Sequence, residues 1–489
     1  MKRYLLTALI SFAITPAFAQ QATVYLKFKA AKDQKVTVQL PLDGTTFYPN
    51  RSEKQFDKDS ILTLNLSVDK IANIYVVNSD RRFRFLIEPG KTTIQLDHSK
   101  KDTAAINFKG RSEKGQLLIN SRKWTFYQSR ADAYLGKDST ANGILKLIVL
   151  DREKELQPYE QLLQQKQISN AFYEAIKADI MTYYVAVAAH VPIRLYFDSM
   201  RDSKVVFKDE FKKLWKEVYN SYSFTNPANY NAAEYYSLAE YYTNYYQDMF
   251  LAQANGTWVK PDYSNADLRL KLSYQSFSRN FTGKSREYLM AYFLYNEMLQ
   301  EKYQLLLVEQ FNDFKQQYPK STYTGFLMPM ANKILKYHED IKKDFTADQI
   351  LLANYSQINT LDELMTKFKG KTVFVDIWAT WCGPCKAEFE YGHDLEKFLK
   401  SKNAEMLYIS MDNEAVQQQW KDMIKYYKLS GSHIRANDAL QKDLMNRLWD
   451  GKGYSIPRYL IIKDGKLEEA KALRPSDKQK LYDQIAAYL

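Results

Sequence analysis

Cysteine is almost absent from this chain: 489 residues contain two, Cys382 and Cys385. A protein stapled by structural disulfides would carry more of them at wider separations, so a disulfide framework is excluded. Histidine is nearly as scarce. His98, His190, His338, His393 and His433 are scattered, and none is spaced as a metal-ligand pair; His190 and His338 read as structural or exposed. A zinc site on the cysteine pair would need two more ligands and no other cysteine exists, so no metal and no other cofactor is expected. Beyond the first twenty residues no run is long and apolar enough to be expected to cross a membrane. The formal charge of +12 is not concentrated. Lys-rich stretches lie beside many Glu and Asp, whereas nucleic-acid binding would need a basic face and a motif.

What is present begins with an export pattern. Lys2 and Arg3 precede the mostly apolar residues 4–14, then Pro16, then Ala17-Phe18-Ala19 before Gln20. This reads as a cleaved signal peptide over residues 1–19. With no cysteine near the cleavage point, a lipoprotein anchor is not expected, and the mature protein is expected to be soluble and periplasmic. Apolar residues make up 45% and charged residues 26%, which suits packed domains rather than disorder, and the length suits several. The 38 tyrosines favour interfaces and half-buried surfaces.

Residues 20–111 alternate polar and apolar at 23–29, 35–40, 61–66, 82–87 and 93–96, with the turn Glu88-Pro89-Gly90. That period predicts an antiparallel β-sandwich-like domain. Residues 112–342 change to three- and four-residue spacing, predicting a helical domain with helices over 171–185, 232–250 and 286–311. The paired tyrosines near 235, 241 and 245 read as helix-packing residues. From 343 to 489 strands and helices alternate: strands at 372–378, 405–410 and 458–462, helices at 384–400, 414–427, 439–449 and 477–489, and a hairpin turn at Lys463-Asp464-Gly465-Lys466. The fold class is therefore multidomain α+β, ending in an α/β domain with a mixed sheet.

The chemistry lies in Cys382-Gly383-Pro384-Cys385, which follows a buried strand and opens a helix. Unpaired N–H groups at a helix N-terminus favour a thiolate and lower its pKa. Cys382 is expected at the exposed cap and Cys385 one turn inside. The outer sulfur would attack a substrate disulfide and the inner one resolve the mixed disulfide. Pro384 suits the first turn, where its missing N–H has no partner to lose.

The run Val373-Phe374-Val375-Asp376-Ile377-Trp378-Ala379-Thr380-Trp381-Cys382-Gly383-Pro384-Cys385-Lys386 is similar to the active-site run of thioredoxins. Its setting, with Asp362 to Phe368 and then Lys369-Gly370-Lys371 upstream and a helix following Met411-Asp412, resembles the exported TlpA/ResA branch of thiol-disulfide oxidoreductases. The resemblance covers residues 343–489; residues 20–342 resemble the N-terminal extension of such exported proteins in Bacteroidota. It implies a thioredoxin-like fold, Cys382 as attacking and Cys385 as resolving cysteine, and Asp376 as a buried acid that takes the proton of Cys385. It also implies a cis peptide at Ile456-Pro457, whose backbone pairs with the substrate, and Trp378 and Trp381 beside the sulfurs, where with Gly383 and Pro384 they would contact the substrate. Two departures stand out. Glu390 occupies the place of a proline that follows the branch's glutamate (here Glu388), so the proline that would carry the branch's helix kink is missing, and no lysine matches the usual partner of the acid.

The expected function is reduction of disulfides in exported proteins, with electrons from a membrane thiol donor that the resemblance implies. An oxidase or isomerase would use the same residues, and a scaffold with a redox-regulated domain is the reading from a different class. The N-terminal regions would select clients or pair two subunits as a homodimer.

Overall fold

The computed structural model describes residues 20–489 except 31–34, 57–59, 79–80, 124, 259–261 and 263–264. The expected signal segment lies outside the described residues. The chain forms two compact units, divided in sequence between Asn332 and Lys333.

The first unit starts with eight strands: β1 (Gln20–Lys29), β2 (Lys35–Gln39), β3 (Arg51–Gln55), β4 (Ile61–Val68), β5 (Ala72–Asn78), β6 (Arg81–Ile87), β7 (Gly90–Asp97) and β8 (Ile106–Lys109). They make two four-stranded sheets, β4-β1-β7-β8 and β3-β2-β5-β6. Alternate residues of both sheets, among them Val24, Leu64, Val76, Phe85 and Ile94, share one apolar core. The sandwich departs from the expected antiparallel pattern at one place, where β1 and β7 run parallel with Leu26 opposite Ile94. Alternation is blind to this, because it sets which face is buried and not strand direction.

The helix Glu113–Ser121 closes the β6 edge with side-chain amides. Gln116 accepts from Leu86 N and donates to Leu86 O, at 3.1 and 2.6 Å. Asn120 does the same to Arg84, at 3.0 and 2.7 Å. Two amides four apart on a helix thus stand in for a neighbouring strand and remove an open edge. Arg84 also pairs with the buried Asp179 of the helix Asn170–Arg201 at 2.7 Å. Tyr323 meets Thr45 at 2.9 Å. Such contacts make one compact unit of the regions expected as separate β and helical domains.

The helix Asn170–Arg201 corrects one expectation. It is long and apolar enough to cross a membrane by length and composition, yet 67% of its apolar window is buried inside the protein. Its apolar surface is the centre of the helical core, against Ile144, Trp215 and Leu238. The helix expected over 232–250 is Tyr235–Tyr241 running on into a π-helical stretch, Tyr242–Leu251. His190 lies among rings, 5.9 Å from Tyr127 and 6.0 Å from Tyr241.

The second unit begins inside the helix Thr324–Asp340 rather than near 343. The reason is packing within the unit: Tyr337 stacks edge-on against Tyr426 at 5.3 Å and Lys425 donates to Ile341 O at 3.1 Å. Its sheet has the order β14-β13-β10-β11-β12-β9, from β9 (Gln349–Leu351), β10 (Thr372–Trp378), β11 (Glu405–Ser410), β12 (Gly431–Arg435), β13 (Arg458–Lys463) and β14 (Lys466–Glu469). β10 is central and every residue in it is buried. It runs parallel to β11 and antiparallel to β13. This is the mixed sheet expected for a thioredoxin-like α/β unit.

Candidate functional site

β10 carries the chain into a turn closed by Cys382 N–H donating to Ala379 O at 3.0 Å. Cys382 then caps the helix Gly383–Glu388, its sulfur accepting from Cys385 N at 3.2 Å. The two sulfurs are bonded as a disulfide. Gly383 and Pro384 are exposed between them, and Cys385 is fully buried. Cys382 was expected to be exposed, yet it keeps 3% of its surface. Its backbone is folded into the turn and its sulfur is spent on Cys385, leaving its neighbour Trp381, 60% exposed, as the surface residue.

Asp376 sits in the middle of β10, opposite Tyr408 on β11 and Tyr459 on β13. It is 1% exposed and its Oδ1 has no hydrogen-bond partner. Burial pushes this carboxyl well above the usual range, and the negative charge of Glu388 adds to the effect. The hydroxyl of Tyr459 and the indole N–H of Trp378 are likewise buried without partners. Trp378 corrects the expectation of a substrate contact: it is fully buried, packed edge-on against Phe389 at 5.2 Å. Strand alternation does not apply in a strand covered on both faces, so Trp378 is a core residue and Trp381 a surface one. The Ile456-Pro457 peptide is cis, and both residues are half-exposed before β13.

Two clusters escaped the sequence reading. Asp412, just past β11, accepts from Thr380 N at 2.9 Å, Thr380 Oγ1 at 2.8 Å and Ser410 Oγ at 2.7 Å. All three are buried, so this carboxylate ties down the turn ahead of Cys382. Glu388 is also buried and accepts from Ser476 N and Oγ at 2.9 and 3.0 Å. Beyond it the helix expected over 384–400 is interrupted by a 3-10 turn, Phe389–Tyr391, before Gly392–Ser401. The break exists without a proline. Glu388 is anchored to Ser476, Phe389 turns inward onto Trp378, and Gly392 is a weak helix former. Each partner lies far along the sequence, and Ser410 with Asp412 two residues on was the only local signal. Among the described residues no three His, Cys, Asp or Glu side chains gather as a metal site would need.

Residues 343–485 match the family model described as Redoxin. Over 139 residues the chain is 36% identical to the thiol-disulfide oxidoreductase ResA of Oceanobacillus iheyensis, covering 28% of this chain and 66% of that one. The ResA of Bacillus subtilis is 36% identical over 52 residues, 11% of this chain and 29% of its own. The chain thus spans less than two thirds of either relative. A solved thioredoxin domain of a thiol-disulfide oxidoreductase from Bacteroides vulgatus is 26% identical, covers 25% of this chain and 81% of its own, and has a TM-score of 0.21. The C-terminal unit thus carries a thioredoxin-like redoxin domain, similar to the ResA thiol-disulfide oxidoreductases.

Proposed function

We propose that this protein is an exported thiol-disulfide oxidoreductase that reduces disulfides of extracytoplasmic proteins. The observation that carries the reading is the Cys382–Cys385 disulfide at a helix cap, with the unpaired buried Asp376 on the strand that leads into it.

In the reduced enzyme the Cys382 thiolate attacks one sulfur of a client disulfide. The client S–S bond breaks, its other sulfur leaves as a thiolate, and a mixed disulfide forms. Cys385 then attacks the Cys382 sulfur, freeing the second client thiolate and closing the Cys382–Cys385 bond. The client gains two electrons and the cysteine pair loses two, which a membrane thiol donor would restore. Cys385 must lose its proton to attack. Asp376 is suited to take it, because burial makes its ionised form a stronger base than an ordinary carboxylate. Asp412 positions the turn, and Gly383, Pro384, Trp381, Ile456 and Pro457 form the surface a client meets. The basic and apolar start of the chain supports export, and the first unit would choose clients or pair subunits.

The test is the reduction potential of the Cys382–Cys385 couple, measured by equilibrating the purified mature protein with glutathione buffers. A value near or below about −250 mV supports the reductase. A value of about −120 to −180 mV would make it an oxidase or isomerase and reverse the direction.

A further inference from the structure

Beside the disulfide the C-terminal unit displays a row of rings. Trp381, next to Cys382, lies 6.3 Å from the ring of Tyr454, and Tyr454 lies 6.2 Å from Trp449. Tyr454 is 38% exposed and Trp449 half-buried. The far end of the row is fixed. The Arg458 guanidinium lies over Trp449 at 5.5 Å and donates to Leu448 O at 3.2 Å and Ala470 O at 2.7 Å. Between Trp449 and Tyr454 the chain turns back through Asp450, Gly451 and Gly453, whose φ values are 53°, 70° and 93°. These suit glycine and leave the loop short and bent. Just past Tyr454, Ile456 is half-exposed, and its amide and carbonyl are bonded to nothing among the described residues.

We propose that the row is a specificity strip, seating an aromatic or long aliphatic side chain close in sequence to the client cysteine that Cys382 attacks. This rests on the exchange reading above. A client sulfur that reaches Cys382 brings its chain over Trp381, and the free backbone of Ile456 offers an extended segment a place to pair. Alternate side chains of such a segment face the same side, and the surface there is the Trp381–Tyr454 pair. Trp381 and Tyr454 carry no charge, and the Arg458 guanidinium lies at the far end of the row over Trp449, donating to two backbone carbonyls, so the exposed pair favours neutral apolar side chains over acidic ones. The clamp on Trp449 holds the platform ready, so binding orders little that is not already ordered. The occupant is therefore an extended, disulfide-bearing polypeptide segment with a bulky apolar residue beside its cysteine.

The experiment uses the reduced full-length protein and fluorogenic peptide disulfides carrying Phe, Ala or Asp two residues from the cysteine, with bis(2-hydroxyethyl) disulfide as a reference. The wild-type protein is expected to favour the Phe peptide over the Asp peptide about tenfold in kcat/KM, the size of one aromatic pair. Y454A should erase most of that preference by raising KM for the Phe peptide relative to the reference disulfide, and Y454F should restore it. A preference for Phe that survives in Y454A, or no preference in the wild type, overturns the strip while leaving the exchange reading intact. A Tyr454-dependent dimer with unchanged peptide preference assigns the row to a second copy and also overturns it. A wild-type protein inert even to the reference disulfide overturns the exchange reading, and the strip with it.

Discussion

Replacing Asp376 by Asn should change how stability depends on pH, in a direction fixed by burial. The carboxyl is 1% exposed, one of its oxygens has no hydrogen-bond partner, and burial together with the Glu388 charge holds its pKa well above the ordinary value. A folded-state pKa above the unfolded one stabilises the native state fully below the unfolded value, about pH 4. The contribution is then lost as pH rises through the folded value. One proton is involved, so the loss accrues at up to about 1.4 kcal/mol per pH unit across that window. Asn cannot ionise and has nearly the same shape. The stability difference, variant minus wild type, should therefore grow with pH at that limiting slope and level off above the folded pKa. Urea unfolding of the oxidised full-length chain between about pH 4 and 9 reads it, following the transition of the C-terminal unit. E388Q separates the two causes: without that negative charge the window should close at lower pH. Parallel curves for wild type and D376N would refute the reasoning, because Asp376 would then ionise as freely in the folded protein as in the unfolded one.

Cys385→Ala should trap covalent partners, since the mixed disulfide on Cys382 then lacks its resolving thiol. Reducing-sensitive adducts on non-reducing gels of cells expressing the variant are the expected result, and none would favour the scaffold reading. In the first unit, Asp179→Ala should cost about 3–5 kcal/mol, because it leaves the Arg84 guanidinium buried without its 2.7 Å partner. Thermal melting of the chain measures it, and D179A combined with R84M should recover much of the loss.

Sequence legibility followed burial. Strands with one buried face, such as Thr23 to Lys29 and Ile61 to Leu66, showed themselves by alternation. β3, Arg51-Ser52-Glu53-Lys54-Gln55, is exposed at every position and has no pattern to read, and β9 has three residues. The helix expected over 286–311 is two, Gly283–Leu299 and Leu306–Gln317. Between them Glu301 and Tyr303 adopt φ values of 52° and 55° with no glycine to announce the break. In the candidate site, the placement of Cys382, Cys385 and Asp376 was legible because strand, turn and helix cap are consecutive in the chain. The Glu388–Ser476 and Asp412–Thr380 links were not, since only the folded sheet brings such distant segments together. Trp378 and Trp381, three residues apart, looked equivalent in sequence, yet one is buried in the core and the other exposed.

The buried acids also bear on the proposed direction of electron flow. Glu388 follows Cys385 by three residues on one helix and so shares its face. Ser476 holds its carboxylate in place. A fixed negative charge on that face opposes a thiolate at Cys385, as it opposes ionisation of Asp376. Cys382 has the opposite environment, with the Cys385 amide aimed at its sulfur. In the proposed exchange the two thiols would thus be treated unequally: charge would be drawn to Cys382 and withheld from Cys385 until a base removes its proton. Strong oxidants of this chemistry owe their potential to a strongly stabilised reduced state. Here the stabilisation reaches one sulfur and is opposed at the other, in line with the proposed reducing direction, and neutralising Glu388 should raise the measured potential.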